Sequence, residues 1–150
     1  MACVGPSTTG GGATPSITLG TGATSFEQLP ASGAQLELIS GPQGGWHLNV
    51  AARFTGLEPD GLQLSYEVRR VGETTPISFR AVSALTRRSV RESTPGVFDR
   101  LGDRAVLNIS GPAAVADSDV EVTVIAQASN GAGATDRRTV FVQDQTNELS

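Results

Sequence analysis

Few side chains in this sequence are of the types that catalyse reactions or bind transition metals. The 150 residues include one histidine, His47, and one cysteine, Cys3. A Ser-His-Asp or Cys-His arrangement would therefore have a single available base, and the sequence has no Gly-x-Ser-x-Gly motif. A lone cysteine also excludes an intrachain disulfide. We therefore expect a protein that is not an enzyme and that uses no cofactor.

Two aspartates have a spacing that suits a shared cation. Asp117 and Asp119 lie directly before a valine-rich run, separated by one serine. Two carboxylates at positions i and i+2 of a loop, together with backbone oxygens, can bind a hard cation such as Ca²⁺. His47 is the other candidate ligand, for zinc or copper, but no further ligands follow a recognisable spacing. Metal binding through Asp117, Asp119 and His47 is therefore an alternative function, and the same aspartates are also typical of a solvated turn.

The basic residues form one cluster, at Arg87, Arg88 and Arg91. All 11 basic residues of the chain are arginine, and the formal net charge is −4. Because binding to a phosphate backbone favours a basic excess, nucleic acid is not an expected partner. The cluster is a candidate contact for an acidic partner or a lipid headgroup. Charges at an exposed strand edge also block pairing with other chains, which is the alternative interpretation.

Alternation of apolar and polar residues predicts the strands that would position these groups. From residue 46 to residue 54 every second side chain is apolar, beginning with Trp46. This period of two predicts a central strand with Trp46 in the core and His47 on the opposite, solvent-facing side. After a Pro59-Asp60-Gly61 turn, the alternation over 62–69 predicts a strand that pairs with the first as an antiparallel hairpin.

The last third of the sequence contains a second predicted hairpin, formed by a valine-rich alternation over 120–128, an Asn130-Gly131 turn and a returning strand over 137–142. Shorter patterns predict strands at 34–39, 77–82 and 105–109, a loop or exposed edge at 85–91, and weak edge strands at 16–19 and 25–29. Together they predict an all-β, antiparallel sandwich of about seven strands over residues 34–143. Residues 1–33 are then a flexible N-terminal tether, and residues 144–150 a polar tail.

Cys3 follows the small residue Ala2 and precedes a segment rich in Gly, Ser, Thr and Pro that extends to Pro15. These N-terminal residues resemble the mature end of bacterial lipoproteins. The resemblance implies that Cys3 carries acyl chains. It also implies the outer membrane, because Val4 is not the aspartate that commonly retains lipoproteins at the inner membrane. No apolar run approaches the roughly 18 residues that span a bilayer, so membrane attachment would be by lipid alone.

The two long alternations at 46–54 and 62–69 and the valine-rich final hairpin form a strand pattern. This pattern resembles that of immunoglobulin-like and fibronectin type III-like domains. The two resemblances together imply an outer membrane-anchored or extracellular lipoprotein of the cell envelope. Such a domain would bind a protein or a polysaccharide, or act as a structural spacer. The alternative is a metal-binding envelope protein that binds calcium or a transition metal.

Overall fold

The computed structural model describes residues 14–30, 33–40 and 45–144. Cys3 and the predicted lipid-attachment segment lie outside the described residues, as does the tail from residue 145 onward. No helix in the described part is long and apolar enough to cross a membrane. The strands are β1 (Ser16–Thr21), β2 (Glu27–Gln28), β3 (Ala34–Ser40), β4 (Trp46–Thr55), β5 (Gln63–Arg70), β6 (Val82–Ala84), β7 (Arg91–Thr94), β8 (Val97–Leu107), β9 (Ser118–Gln127) and β10 (Gly133–Asp144), with 3-10 turns at Arg87–Ser89 and Pro112–Ala114.

The fold is all-β, and the described residues form one mixed, ten-stranded sheet. Its hydrogen-bonded order is β2-β1-β4-β3-β10-β9-β5-β6, while β8 pairs with β4 and β7 pairs with β8. The sheet has two arms, which we call the first arm (β2-β1-β4-β8-β7) and the second arm (β3-β10-β9-β5-β6). They surround a single cluster of buried apolar side chains contributed by both arms. The sheet is therefore curled around one core.

Strand β3 joins the two arms, and its pairing with β10 is the one parallel pairing among the described strands. Its residues Ala34 to Leu38 pair in parallel with β10, and Ile39 and Ser40 then pair antiparallel with the start of β4. The expectation of a wholly antiparallel fold is wrong at β3 and β10. The two strands are far apart in sequence, and the chain between them supplies the long connection that parallel pairing requires.

The predicted hairpin between the first two long alternations is wrong. Strand β4 pairs with β1, β3 and β8, whereas β5 pairs with β6 and β9. The turn does form, since the Leu62 N–H donates to the Pro59 carbonyl at 3.1 Å. It carries the chain from the first arm to the second instead of returning it beside β4. Period-two alternation specifies which face of a strand is buried, but it does not specify the neighbouring strand.

The predicted C-terminal hairpin is confirmed. Strands β9 and β10 pair antiparallel from Gln127 and Gly133 to Ser118 and Val142. At the turn, Gly131 has a φ of 93°, and its N–H donates to the Ala128 carbonyl. Glycine adopts this left-handed conformation without the steric cost that a Cβ atom brings, which explains the turn signal in the sequence.

The predicted strand at 77–82 is wrong, because this segment divides its contacts between the arms. The Ile77 N–H donates to the Val68 carbonyl of β5 at 2.7 Å, while the Asn108 N–H donates to the Ile77 carbonyl at 2.6 Å. Ser78 forms an isolated bridge with Leu107 at the end of β8. Only Val82–Ala84 then forms a strand, β6. The segment 76–82 thus spans from the second arm to the first.

The sheet begins before residue 34, where the sequence analysis placed the start of the domain. Strand β1 pairs antiparallel with β4 along five positions, from Ser16 to Gly20. Ile17 and Leu19 are 6% and 0% exposed and belong to the core. Strand β1 is therefore an interior strand between β2 and β4. Its short apolar run concealed this role in the sequence.

Strand β4 supplies much of the core from its inner face. Leu48, Val50 and Phe54 are fully buried, and Phe54 stacks on Phe98 with ring centroids 5.6 Å apart. Trp46, predicted to lie in the core, is partly buried and packs against it at the start of the strand. Phe54, and not Trp46, is therefore the fully buried aromatic side chain of β4.

Candidate functional site

A cleft of ≈ 500 Å³ opens on the outward face of the second arm. Strands β5 and β9 form its floor, and the segment 76–82 forms its wall. The lining mixes amide, hydroxyl, charged and apolar side chains. The lining residues are Gln63, Ser65, Tyr66, Glu67, Pro76, Ser78, Arg80, Val82, Ile125 and Gln127.

The register between β5 and β9 assembles the floor of the cleft. Gln63 lies opposite Gln127, and Ser65 lies opposite Ile125. Side chains at directly opposed positions have Cβ atoms about 5 Å apart on the same face. These four side chains therefore form a compact group, and the alternation of β5 adds Glu67 to the same face.

The wall of the cleft exists because β6 covers only part of β5. The ladder between them runs from Gln63 to Ser65. The next attachment to this edge of β5 is at Val68, whose N–H donates to Ser78 Oγ at 2.9 Å and whose carbonyl accepts from Ile77. Between these two attachments the segment 76–82 moves away from β5, and the cleft opens beside Tyr66.

The charged side chains of the cleft differ in their surroundings. Glu67 accepts hydrogen bonds from Arg69 NH2 at 3.1 Å on each carboxylate oxygen. Its charge is therefore paired within the protein. Arg80 is exposed on the wall.

Three hydrogen-bonded polar side chains lie beneath the cleft and connect the two arms. The Tyr66 hydroxyl donates to Asp103 Oδ2 at 2.9 Å, and Arg100 Nε donates to Asp103 Oδ1 at 3.0 Å. Burial raises the pKa of Tyr66 well above 10.0, and the negative charge of Asp103 raises it further. Tyr66 is therefore a neutral hydrogen-bond donor at physiological pH.

His47 lies away from this cleft, on the outward face of the first arm. It is only 7% exposed, because β4 is an inner strand and His47 stands opposite Ile39 on one side and Val106 on the other. The expectation that His47 faces solvent is wrong. Burial and then the positive charge of Arg104 lower the pKa of His47, against a hydrogen bond with Asn49 that raises it. His47 is therefore neutral at physiological pH.

His47 does not form one metal-binding group with Asp117 and Asp119 in the described part of the chain. Asp117 and Asp119 are both exposed, at the turn before β9 and at its start. Asp117 has a φ of 59°, and its N–H donates to the Val142 carbonyl, so the residue forms part of the turn. Across residues 14–30, 33–40 and 45–144, no three His, Cys, Asp or Glu side chains come close enough to hold an ion.

The arginine cluster is only partly available for a partner. Arg87 donates from Nε and NH2 to both carboxylate oxygens of Glu58, at 2.9 and 2.8 Å. This guanidinium lowers the pKa of Glu58. Arg87 also lies over the Phe98 ring at 5.5 Å. Arg88 and Arg91 are exposed on the 3-10 turn and on β7.

The sequence analysis predicted the strands of the cleft but missed its residues. The polar positions of β5 and β9 were visible as the outward half of each alternation, for example Gln63, Ser65 and Gln127. Their convergence depends on the register between two strands that are distant in sequence. Arg80 was assigned to a strand that does not form, so the sequence pattern did not indicate its position on the wall of the cleft.

Comparison with known families and curated proteins found no match, so the fold and the cleft are the basis for a proposed function. No model of a known protein family matches the chain, and no curated protein is similar to it in sequence.

Proposed function

We propose that the chain is a non-enzymatic binding domain of a bacterial cell-envelope or surface lipoprotein. The observation that carries this proposal is the open cleft of ≈ 500 Å³ on the outward face of an all-β fold. Small-molecule sites commonly measure about 300 to 1,000 Å³ and combine apolar walls with a few polar groups. The lining described above has this composition.

The strand order supports the finer assignment of an immunoglobulin-like sandwich. The run β1-β4-β8-β7 corresponds in order to strands A, B, E and D of that fold, and β10-β9-β5 corresponds to G, F and C. In this assignment β4 and β5 are strands B and C, which belong to opposite sheets. The passage of the chain from the first arm to the second after β4 agrees with it.

The charges around the cleft favour binding over catalysis. General acid–base catalysis requires a group that is free to exchange a proton near the operating pH. Glu67 is engaged by Arg69, and the raised pKa of Tyr66 keeps its hydroxyl protonated. The remaining polar side chains on the floor, such as Gln63 and Gln127, are amides that do not titrate.

A lipid on Cys3 would attach the domain to the outer membrane and leave the cleft free for a protein or polysaccharide. More than one acyl chain is needed for stable anchoring, since each buried methylene contributes about 0.8 kcal/mol. Membrane contact through this anchor and ligand contact through the cleft are then separate functions of separate segments. Nucleic acid is not an expected partner, because the net charge is −4.

Two measurements test the proposal. Expressed from its full gene, the wild type is expected in the membrane fraction, whereas Cys3→Ser is expected in the soluble fraction with an unchanged circular dichroism spectrum. Equal membrane association of the two proteins would contradict the lipid anchor. The purified domain is also expected to co-sediment saturably with envelope fragments of its host, and a failure to sediment would contradict the binding function.

A further inference from the structure

We infer that the cleft binds a neutral saccharide, presented as one or two pyranose units of a polysaccharide. The inference rests on the proposed binding function and names the ligand class of the same site. Its support comes from the hydrogen-bonding capacity of the lining, the pairing of its charges, its apolar surfaces and the geometry of the β5 edge.

The polar side chains of the cleft are suited to hydroxyl groups. Gln63 and Gln127 present amides, and Ser65 and Ser78 present hydroxyls. Each of these groups can both donate and accept a hydrogen bond. Gln127 Nε2 already donates to the Gly131 carbonyl at 3.3 Å and Ser78 Oγ accepts from the Val68 N–H, which leaves the Gln127 carbonyl oxygen and the Ser78 O–H for a ligand. Sugar hydroxyls have the same dual capacity, so adjacent hydroxyls of a pyranose can be satisfied without a formal charge on either partner.

The charge distribution favours a neutral ligand over an acidic one. Among the described residues that line the cleft, the charged side chains are Arg80, which is exposed, and Glu67, whose carboxylate is paired with Arg69. A polyanion would meet a protein with a formal net charge of −4 and a single guanidinium at the site. A neutral saccharide meets no such repulsion and can still accept a hydrogen bond from Arg80.

Apolar surfaces complete the fit to a sugar ring. Ile125 contributes a partly buried side chain to the floor, and Val82 is 51% exposed on the wall beside Pro76. A pyranose has C–H surfaces as well as hydroxyls. Burial of those surfaces against Val82, Pro76 and Ile125 adds a hydrophobic contribution to binding.

The edge of β5 argues against an extended peptide as the ligand. A peptide that joins a sheet edge gains its affinity from several consecutive backbone hydrogen bonds. Strand β6 already covers β5 from Gln63 to Ser65, and Ile77 and Ser78 occupy the edge at Val68. The opening beside Tyr66 is too short for a continuous ladder.

The test is affinity electrophoresis in native gels cast with dextran, mannan or xylan as neutral polysaccharides, and with alginate as an acidic one. The wild type is expected to migrate more slowly in at least one neutral gel than in a gel without polysaccharide. Gln63→Ala/Gln127→Ala is expected to raise the apparent dissociation constant at least about tenfold, because two hydrogen-bonding side chains are lost.

A second glutamine pair supplies the matched control. Gln143 Nε2 donates to Gln35 Oε1 at 2.8 Å on neighbouring strands of the second arm, outside the cleft. Gln35→Ala/Gln143→Ala removes the same two side-chain types and is expected to leave retardation unchanged. Gln35 also lines a smaller cleft of ≈ 230 Å³, so this control reports on that surface as well.

Three outcomes overturn the inference: equal mobility of the wild type in all neutral gels, retardation in alginate only, or equal retardation of the wild type and the Gln63→Ala/Gln127→Ala variant. Sedimentation with envelope fragments separates these failures from failure of the proposed function. If the wild type and the cleft variant sediment equally, the domain binds the envelope through another surface. If neither sediments, the binding function itself is contradicted.

Discussion

The two arms are connected on both sides of the core, but by different groups. On the side where β1 of the first arm faces β10 of the second, which we call the closed edge, Asp136 Oδ2 accepts from the Leu19 N–H at 2.7 Å. Arg138 donates from Nε to the same oxygen at 2.9 Å and from NH1 to the Leu29 carbonyl at 2.8 Å. The two side chains are largely buried, at 20% and 15% exposure.

The opposite edge, which we call the notched edge, consists of β5 from Gln63 to Val68 and the segment 76–82. Here the segment 76–82 connects the arms through backbone hydrogen bonds, and a bond between two side chains, from the Tyr66 hydroxyl to Asp103, adds a direct connection between β5 and β8. The backbone of β5 is covered by β6 only as far as Ser65. The cleft occupies the uncovered position.

The difference shows how one fold separates stability from binding. Asp136 connects β10 to the backbone of β1 at Leu19, and Arg138 connects β10 to the backbone at Leu29, just after β2. A bond between two side chains across the core holds β5 to β8 while the outward face of β5 remains accessible. We therefore expect substitutions at the closed edge to affect stability, and substitutions on the floor of the notched edge to affect binding.

The largest stability effect is expected for Asp136→Ala. The substitution leaves the Leu19 N–H without an acceptor and leaves the Arg138 charge unpaired in a largely buried position, at a cost of about 3 kcal/mol. Urea denaturation measures this loss. Asp136→Asn keeps an acceptor and is expected to lose about half as much. A loss below about 1 kcal/mol for Asp136→Ala would show that the ladder with β4 and packing hold β1 without this side chain.

At the notched edge, Tyr66→Phe is expected to cost about 1 kcal/mol, since it removes one hydrogen bond while Asp103 keeps Arg100 as a partner. The same variant has a pH signature. The folded pKa of Tyr66 lies above the unfolded value of 10.0, so stability is complete below pH 10 and falls as the pH rises through the folded pKa. Denaturation at several alkaline pH values should show this fall in the wild type, and a similar fall in Tyr66→Phe would contradict the role of the phenol.

The closed edge also shows what the sequence could not predict. The alternation in β10 was recognised. Charged side chains are expected on the outward face of such a strand, but Asp136 and Arg138 lie on its inner face. Their burial depends on β1, whose short apolar run indicated only a weak strand. The position of β1 accounts for the burial of the ion pair, and the ion pair helps to hold β1. The sequence pattern of one does not predict the other.

At the notched edge, prediction failed for a different reason. The faces of β5 and β9 were predicted, and Leu64 and Val68 are buried as expected. The partner of β5 was wrong, because alternation does not distinguish a hairpin from a passage between arms. The expected partner of β5 was β4, and the alternation did not indicate that β5 pairs with β9. The group formed by Gln63 and Gln127 was therefore not predictable.

A smaller effect on stability is expected at His47, on the side of the closed edge. His47 pairs with Ile39 where β3 passes from β10 to β4. Its folded pKa is lowered from 6.5, so the unfolded chain binds the proton more readily. Stability is therefore complete above pH 6.5 and declines as the pH falls toward the folded pKa. Comparison of the wild type with His47→Gln over this range should show a flatter profile for the variant, and identical profiles would place His47 in solvent.

The smallest stability effect is expected for Gln63→Ala/Gln127→Ala. Both side chains are exposed, and exposed substitutions usually change stability by no more than about 0.5 kcal/mol. Urea denaturation of the variant should therefore overlay that of the wild type. A loss above about 1.5 kcal/mol would mean that this glutamine pair supports the fold, and the contrast between the two edges would disappear.

The most direct test of the contrast is a map of backbone amide shifts by nuclear magnetic resonance during titration with isomaltotriose, mannotriose or xylotriose, which represent the three neutral polysaccharides. At least one trisaccharide is predicted to shift the amides of Gln63, Ser65, Glu67, Ile125 and Gln127, with Leu19 and Asp136 unchanged. Shifts centred on Leu19 and Asp136, or no shifts with any of the three, would contradict the assignment of binding to the notched edge.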